Sequence, residues 1–233
     1  MRFGVVIFPG SNCEQDVIRA TKYLGFDAGY IWHGDTDISG FDAIVLPGGF
    51  SYGDYIRTGA VARFSPVMAE VMRFAENGGP VLGICNGFQI LCEAHMLPGA
   101  LLRNRGLKFI CKPVTMRVED SACQWLDTPA GTCITVPINH NEGNYVCDAE
   151  TLDTLKANRQ VVLRYVEPDG STAPGGSAPN GSLDDIAGIC NERGNVFGLM
   201  PHPERVVEPI TGGTDGQPFF TTIVKRLAEV AGS

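Results

Sequence analysis

The chain has 233 residues, 44% of them hydrophobic, which is enough for one sizeable core, so a single domain over 1–233 is expected. A formal net charge of -8 offers no counter-charge to nucleic acid or an anionic membrane, leaving a small molecule or a protein as the expected partner. The opening apolar run is too short for a signal peptide or a bilayer span, and a soluble cytoplasmic chain is expected.

Arg2 to Phe8 is a continuous apolar run of the kind that forms a central parallel strand covered on both faces. Pro9-Gly10 turns the chain, and Ser11 with Glu14 reads as a capping box for a helix carrying Val17, Ala20, Thr21 and Leu24 and stopping at Gly25. Strands are expected at Ala28 to Trp32 and Asp42 to Leu46, with His33 in an ordinary loop between them. The loop that follows, Pro47 to Tyr55, is rich in glycine and aromatics. It sits after a strand, where open parallel sheets keep their functional groups, and Gly48 and Gly49 can present backbone N–H groups with no side chain in the way. Its glycines suggest a loop that partner contact through Phe50, Tyr52 and Tyr55 could set. Ser65 and Pro66 then start a helix with Val67, Val71 and Phe74 on one face, closed by Gly78-Gly79.

Pro80 to Ala94 reads as a buried strand turning sharply into a helix at Cys85. Gly83-x-Cys85-x-Gly87 is the thiol form of a nucleophile elbow, in which small flanking residues permit a strained turn that exposes the side chain. The start of a helix also favours thiolate over thiol. A plain core cysteine is the bland alternative. The other seven cysteines are irregularly spaced with no Cys-x-x-Cys, so neither a disulfide framework nor a zinc site is expected.

After residue 96 the rhythm changes. Leu107 to Val118 and Thr132 to Ile138 read as strands with no helix between them, which calls for an antiparallel region. A short helix over Asp148 to Asn158 and a strand over Gln160 to Val166 lead to a Pro-, Gly- and Ser-rich segment, 168–182, read as a solvated hairpin loop. Asp185 to Asn191 and Asn195 to Met200 form a second hairpin that delivers Pro201-His202-Pro203-Glu204. Pro203 is expected to hold this segment extended, so that both side chains project to one side and the carboxylate orients the imidazole. The final helix, Phe219 to Val230, carries a stripe of Phe219, Ile223, Leu227 and Val230.

A thiol, a histidine and a carboxylate are the parts of a nucleophilic triad, here Cys85, His202 and Glu204. His140 is the rival base, and the carboxylate beside His202 decides against it. His95, at the helix end before Pro98, reads as a capping or surface histidine.

Gly83-Ile84-Cys85-Asn86-Gly87-Phe88-Gln89 with a downstream Pro-His-Pro-Glu closely resembles the triad, class I, glutamine amidotransferase family over nearly the whole chain. The motifs at 47–55, 84–89 and 190–195 are similar to those of glutaminase subunits that serve purine biosynthesis. The resemblance implies an α/β fold: an open, mostly parallel, flavodoxin-like sheet flanked by helices, with an added antiparallel region in the C-terminal half. It implies hydrolysis of glutamine, with ammonia passed to a large ATP-dependent synthetase subunit through a complex that includes a small bridging subunit. ATP and Mg would belong to the synthetase; this chain itself would hold neither cofactor nor metal. It further implies that the N–H groups of Gly49 and Asn86 form the oxyanion hole and that Gln89, His140 and Glu142 line the substrate. Asn141 in the 139–143 loop stands where the family pattern has Gly. Two readings from other classes use the same residues: a free-standing cysteine hydrolase of gamma-glutamyl peptidase type, and an interaction subunit without chemistry, which would need a broken triad.

Overall fold

The computed structural model describes residues 1–231. In chain order the elements are β1 (Arg2–Ile7), α1 (Glu14–Tyr23), β2 (Asp27–Trp32), β3 (Ala43–Leu46), α2 (Pro66–Glu76), β4 (Val81–Ile84) and α3 (Asn86–Glu93). Then follow β5 (Ala100–Leu102), β6 (Ile110–Val118), β7 (Cys133–His140), β8 (Asn144–Val146), α4 (Ala149–Ala157), β9 (Val161–Val166), β10 (Ile186–Cys190), β11 (Val196–Leu199) and α5 (Pro218–Ala231). Nine strands form one sheet in the order β2-β1-β3-β4-β11-β10-β9-β6-β7. From β2 to β11 neighbours run parallel in flavodoxin-like order, and from β10 to β7 every pairing is antiparallel. The antiparallel region is therefore not a separate appendage: it extends the same sheet. β5 and β8 pair as a two-stranded sheet of their own, which their three-residue length hid from any periodicity.

β1 is interior but second from the edge, not central, because the later strands add on the far side of β4. Its apolar run is still required, since Phe3, Val5 and Val6 are fully buried. Along β11, Phe197 stacks on Phe219 of α5, whereas Gly198 lies against Phe88 of α3. Successive strand residues face opposite ways, so α5 and α3 cover opposite faces of the sheet. On the α5 stripe Phe219 and Ile223 are buried and Leu227 partly so, while the Val230 side chain lies outside the described residues. None of the helices described is long and apolar enough to cross a membrane.

Several local expectations change. The Ser11–Glu14 capping box does not form: α1 starts after Cys13 without a side-chain cap, and Ser11 Oγ instead accepts from the Phe8 N–H in the tight turn. Ser65 precedes α2 as expected, yet its hydroxyl bonds Tyr52 rather than the helix. The end of the 168–182 segment is not solvated, because Asn180 and Ser182 are buried and supply partners to the backbone of Gly143 and Tyr145. His95 is exposed at the end of α3 in the left-handed conformation, φ 56°, as a C-terminal capping residue would be.

Candidate active site

Three adjacent strand ends build the site. Leu46 of β3 pairs with Gly83 of β4, and Ile84 of β4 pairs with Leu199 of β11. The segments leaving these strands, Pro47–Gly49, Cys85 and Met200–Glu204, therefore emerge side by side at the C-terminal edge of the parallel half. Cys85 N–H donates to Leu199 O at 2.8 Å, which fixes the nucleophile strand against the histidine strand at this point.

Cys85 has φ 52° and ψ -104°, a conformation that an L-residue adopts only under constraint, costing about 1–3 kcal/mol. The strain lies on the cysteine, not on its flanking glycines. Those serve close approach: a Cβ on Gly87 would meet Leu46 O at 1.9 Å, and one on Gly83 would meet the Gly87 carbonyl at 2.8 Å. Glycine at both positions lets α3 sit down on β3 and β4 and sets Cys85 at the corner, but the thiol is not exposed as expected: it is buried, at 5% exposure, beside the end of β7. Its Sγ lies 3.7 Å from Asn139 O at the end of β7.

His202 Nδ1 is 2.6 Å from Glu204 Oε1, and both side chains are essentially inaccessible, at 1% and 0% exposure. The segment is not extended as expected. Pro203–Arg205 is a single 3-10 turn, with Pro203 at its first position, and the turn folds the carboxylate back onto the imidazole. Burial opposes the imidazolium, but the Glu204 carboxylate, helped by the neighbouring Cys85 and Cys13 sulfurs, outweighs it and holds His202 well above its ordinary range. Nε2 has no hydrogen-bond partner among the described residues and is left for chemistry. Gly48 packs on this ring; a Cβ there would stand 2.7 Å from His202 Cε1.

His140 is placed otherwise. Its Nδ1 lies 3.1 Å from Asn104 Oδ1, while the Asn104 amide nitrogen donates to the carbonyls of Lys108 and His140. Asn104 Oδ1 can therefore only accept, so His140 carries its proton on Nδ1. Burial and the charge of His202 push His140 down to about 4, which leaves it neutral near pH 7 and a weak base. Asn104, fully buried, organises the 139–143 loop by also accepting from Gly143 N–H, a role with no signal in the sequence. Asn141 has no positive φ, so the position needs no glycine, and its side chain donates to Glu142 Oε1 at 2.7 Å.

The 47–55 loop is less free than its glycines suggest. Gly48 O accepts from the N–H groups of Asn12 and Cys13, and Phe50 N–H donates to Gly10 O. A trans peptide whose carbonyl is held on that side directs the Gly49 N–H the other way, and this N–H has no partner among the described residues. Tyr52 is not an exposed contact residue: its hydroxyl lies 2.9 Å from both His33 Nδ1 and Ser65 Oγ, and it ties the loop to the body. Phe50 and Tyr55 remain exposed. His33 is accordingly an anchor of the functional loop rather than ordinary loop filler.

Gln89 and Glu142 meet: Gln89 Nε2 donates to Glu142 O at 2.5 Å. Asp54 lies close enough to Glu142 that burial, helped by that charge, pushes its carboxyl up to about 6. Sequence reasoning missed Asp54, and it also missed Cys13. That buried thiol packs against Gly48 and accepts from Arg205 Nη2 at 3.2 Å. Cys13, His202 and Glu204 bring potential ligand atoms within 4.8 Å of one another, with the Arg205 cation held against the same sulfur. All eight cysteines are free thiols. The site thus offers a strained thiol, a charged imidazole with its orienting carboxylate, and unused backbone donors at a helix start and a glycine loop, a set suited to acyl transfer.

Residues 1–215 match the family described as the CobB/CobQ-like glutamine amidotransferase domain. The chain is 54% identical over 226 residues to the phosphoribosylformylglycinamidine synthase subunit PurQ of Moorella thermoacetica, covering 96% of this chain and 95% of that one. It is also 54% identical over 232 residues to the PurQ subunit of Gloeobacter violaceus, covering 99% and 100%. Among solved structures it matches the structure of PurLQS from Thermotoga maritima with a TM-score of 0.85 at 44% identity, over 97% of this chain and 98% of that one. A more distant glutamine amidotransferase from Thermotoga maritima, at TM-score 0.56 and 14% identity over 99% of this chain and 85% of that one, shares the fold. The chain belongs to the CobB/CobQ-like glutamine amidotransferase family, in the branch of the phosphoribosylformylglycinamidine synthase PurQ subunits.

Proposed function

We propose that this chain, as one domain over 1–233, is the glutaminase subunit of a phosphoribosylformylglycinamidine synthase. It hydrolyses glutamine and passes ammonia to a large ATP-dependent synthetase subunit, in a complex with a small bridging subunit, for formylglycinamidine ribonucleotide synthesis in purine biosynthesis. The observation that supports this reading is the register of β4 with β11, from whose adjacent ends leave the strained Cys85 and the segment carrying the His202–Glu204 pair.

Cys85 Sγ attacks the side-chain amide carbon of glutamine, and the carbonyl oxygen becomes an oxyanion. The N–H groups of Gly49 and Asn86 receive it, the second because the first N–H groups of a helix have no partner inside it. His202 gives its proton to the departing nitrogen, which leaves as ammonia, and a γ-glutamyl thioester remains on Cys85. His202 then takes a proton from water, which attacks the thioester and releases glutamate and the thiolate. Glu204 keeps the imidazole oriented and stabilises its charge throughout. Gln89, His140 and Glu142 border the substrate. Any ATP and Mg chemistry belongs to the synthetase, and the same reading expects a cytoplasmic complex.

In the reconstituted complex, Cys85→Ala should lose glutamine-dependent synthesis by about 10⁴-fold or more and keep ammonia-dependent synthesis. Retention of glutamine-dependent turnover would remove Cys85 from the reaction. A lone chain fully active on glutamine, with no gain from partners, would favour the free-standing hydrolase instead.

A further inference from the structure

The two proposed oxyanion donors sit on different elements, and something has to fix their separation. Gly49 rides on a loop whose backbone ties run to the Gly10–Cys13 turn, away from α3. The one hydrogen bond between residues 47–55 and α3, among the described residues, is from Ser51 N–H to Asn86 Oδ1 at 3.1 Å. It is the first step of a buried relay. Asn86 Nδ2 donates to Gln89 Oε1 at 2.9 Å, and Gln89 Nε2 donates to Glu142 O at 2.5 Å. Each carboxamide accepts on its oxygen and donates from its nitrogen, so both are fixed in a single orientation. Asn86, Gln89 and Ser51 are 1%, 5% and 2% exposed, so no water replaces a lost partner cheaply.

We infer that the Asn86 side chain is a positioning residue for the oxyanion hole, a role separate from that of its backbone N–H. It latches the Gly49 loop to the helix that carries the second donor. Through Gln89, it also joins both donors to the 139–143 loop on the far side of the thiol. An oxyanion donor contributes only when it is within hydrogen-bond distance of where charge develops, and the N–H of residue 86 survives any substitution except proline. Removing the carboxamide therefore leaves both donors present but unregistered. The signature is a loss in turnover without a matching loss in binding.

The inference rests on the glutaminase reading, and the reconstituted complex separates the two. Glutaminase kcat and KM are measured for native, Asn86→Ala and Asn86→Asp complexes isolated intact by size-exclusion chromatography, with kcat expressed per assembled complex. Unfolded protein is removed from the comparison by that isolation. Asn86→Ala should lower kcat about ten- to hundredfold with KM within about threefold, since part of one donor's 10²–10³ is at stake. Asn86→Asp keeps an acceptor for Ser51 N–H and should recover at least about threefold over Ala. If Asn86→Ala keeps kcat per assembled complex within about twofold of native, or if the loss lies wholly in KM, the latch is wrong while the glutaminase reading stands. A native complex without glutaminase activity would instead overturn that reading.

Discussion

Two buried histidines lie within range of each other's charge, and their surroundings set them to opposite states. His202 is paired with a carboxylate and lies near Cys85, and it holds its proton against burial. His140 is paired with the neutral amide of Asn104, feels the His202 charge, and gives its proton up. Burial is nearly equal at the two, so burial does not select the proton carrier; the partner's charge does. The same low-dielectric setting that makes a carboxylate partner effective makes a second cation nearby costly, so the charge of His202 adds to the burial that already holds His140 neutral.

Exchanging roles would break this contrast. His202→Asn should reduce glutamine-dependent turnover by about 10⁴-fold or more, whereas His140→Asn should cost no more than about tenfold. Assays of both variants in the complex check this, and the reverse order would hand the base role to His140. Glu204→Gln should fall between them, at about 10²–10⁴-fold, and should also move the pH dependence. The proton on His202 is held up by Glu204, so its loss lowers the histidine's pKa, and the alkaline limb of kcat/KM should shift to lower pH. An alkaline limb that does not move would show that Glu204 only orients.

The neutral histidine can be read through stability. His140 is lowered to about 4 in the folded protein against an ordinary value of 6.5, so the unfolded chain binds the extra proton between these two values. Its contribution is fully present above pH 6.5 and is lost as pH falls toward 4. A shift of that size corresponds to on the order of 3 kcal/mol. Urea unfolding of native protein and His140→Gln at pH 7 and pH 4.5 should show the smaller acid loss in the variant. An identical loss would mean that His140 is not held neutral. The smallest effect is expected at Cys13→Ala, within about threefold in glutaminase turnover, because that thiol, although it lies close to His202 and Gly48, neither gives nor takes a proton in the proposed reaction.

Legibility in the sequence followed the range of the interactions. The Cys85 elbow was readable because it is local: two glycines four apart permit one helix to sit on two strands. His202 and Glu204 were readable because they are two residues apart, although a 3-10 turn rather than an extended segment joins them. The apolar strand runs and helix stripes of the N-terminal half marked its elements, while β5 and β8 were too short to show a period. What stayed hidden is what the sheet brings together from afar. Asn104 lies 36 residues from His140, Cys13 lies 192 from Arg205, and Ser51 lies 35 from Asn86. No local pattern marks such pairs, and buried amides are not betrayed by hydrophobic periodicity.

The most direct test of Cys85 as the nucleophile is to catch its covalent intermediate. The complex turning over glutamine is quenched in acid, digested, and each cysteine peptide is examined by mass spectrometry for a γ-glutamyl adduct. The adduct should appear on the peptide containing Cys85 and on no other, and should vanish in Cys85→Ala. Glutamine consumed with the adduct on Cys13, or with Cys85 never modified under conditions that preserve a thioester, would contradict the assignment of Cys85 as the nucleophile.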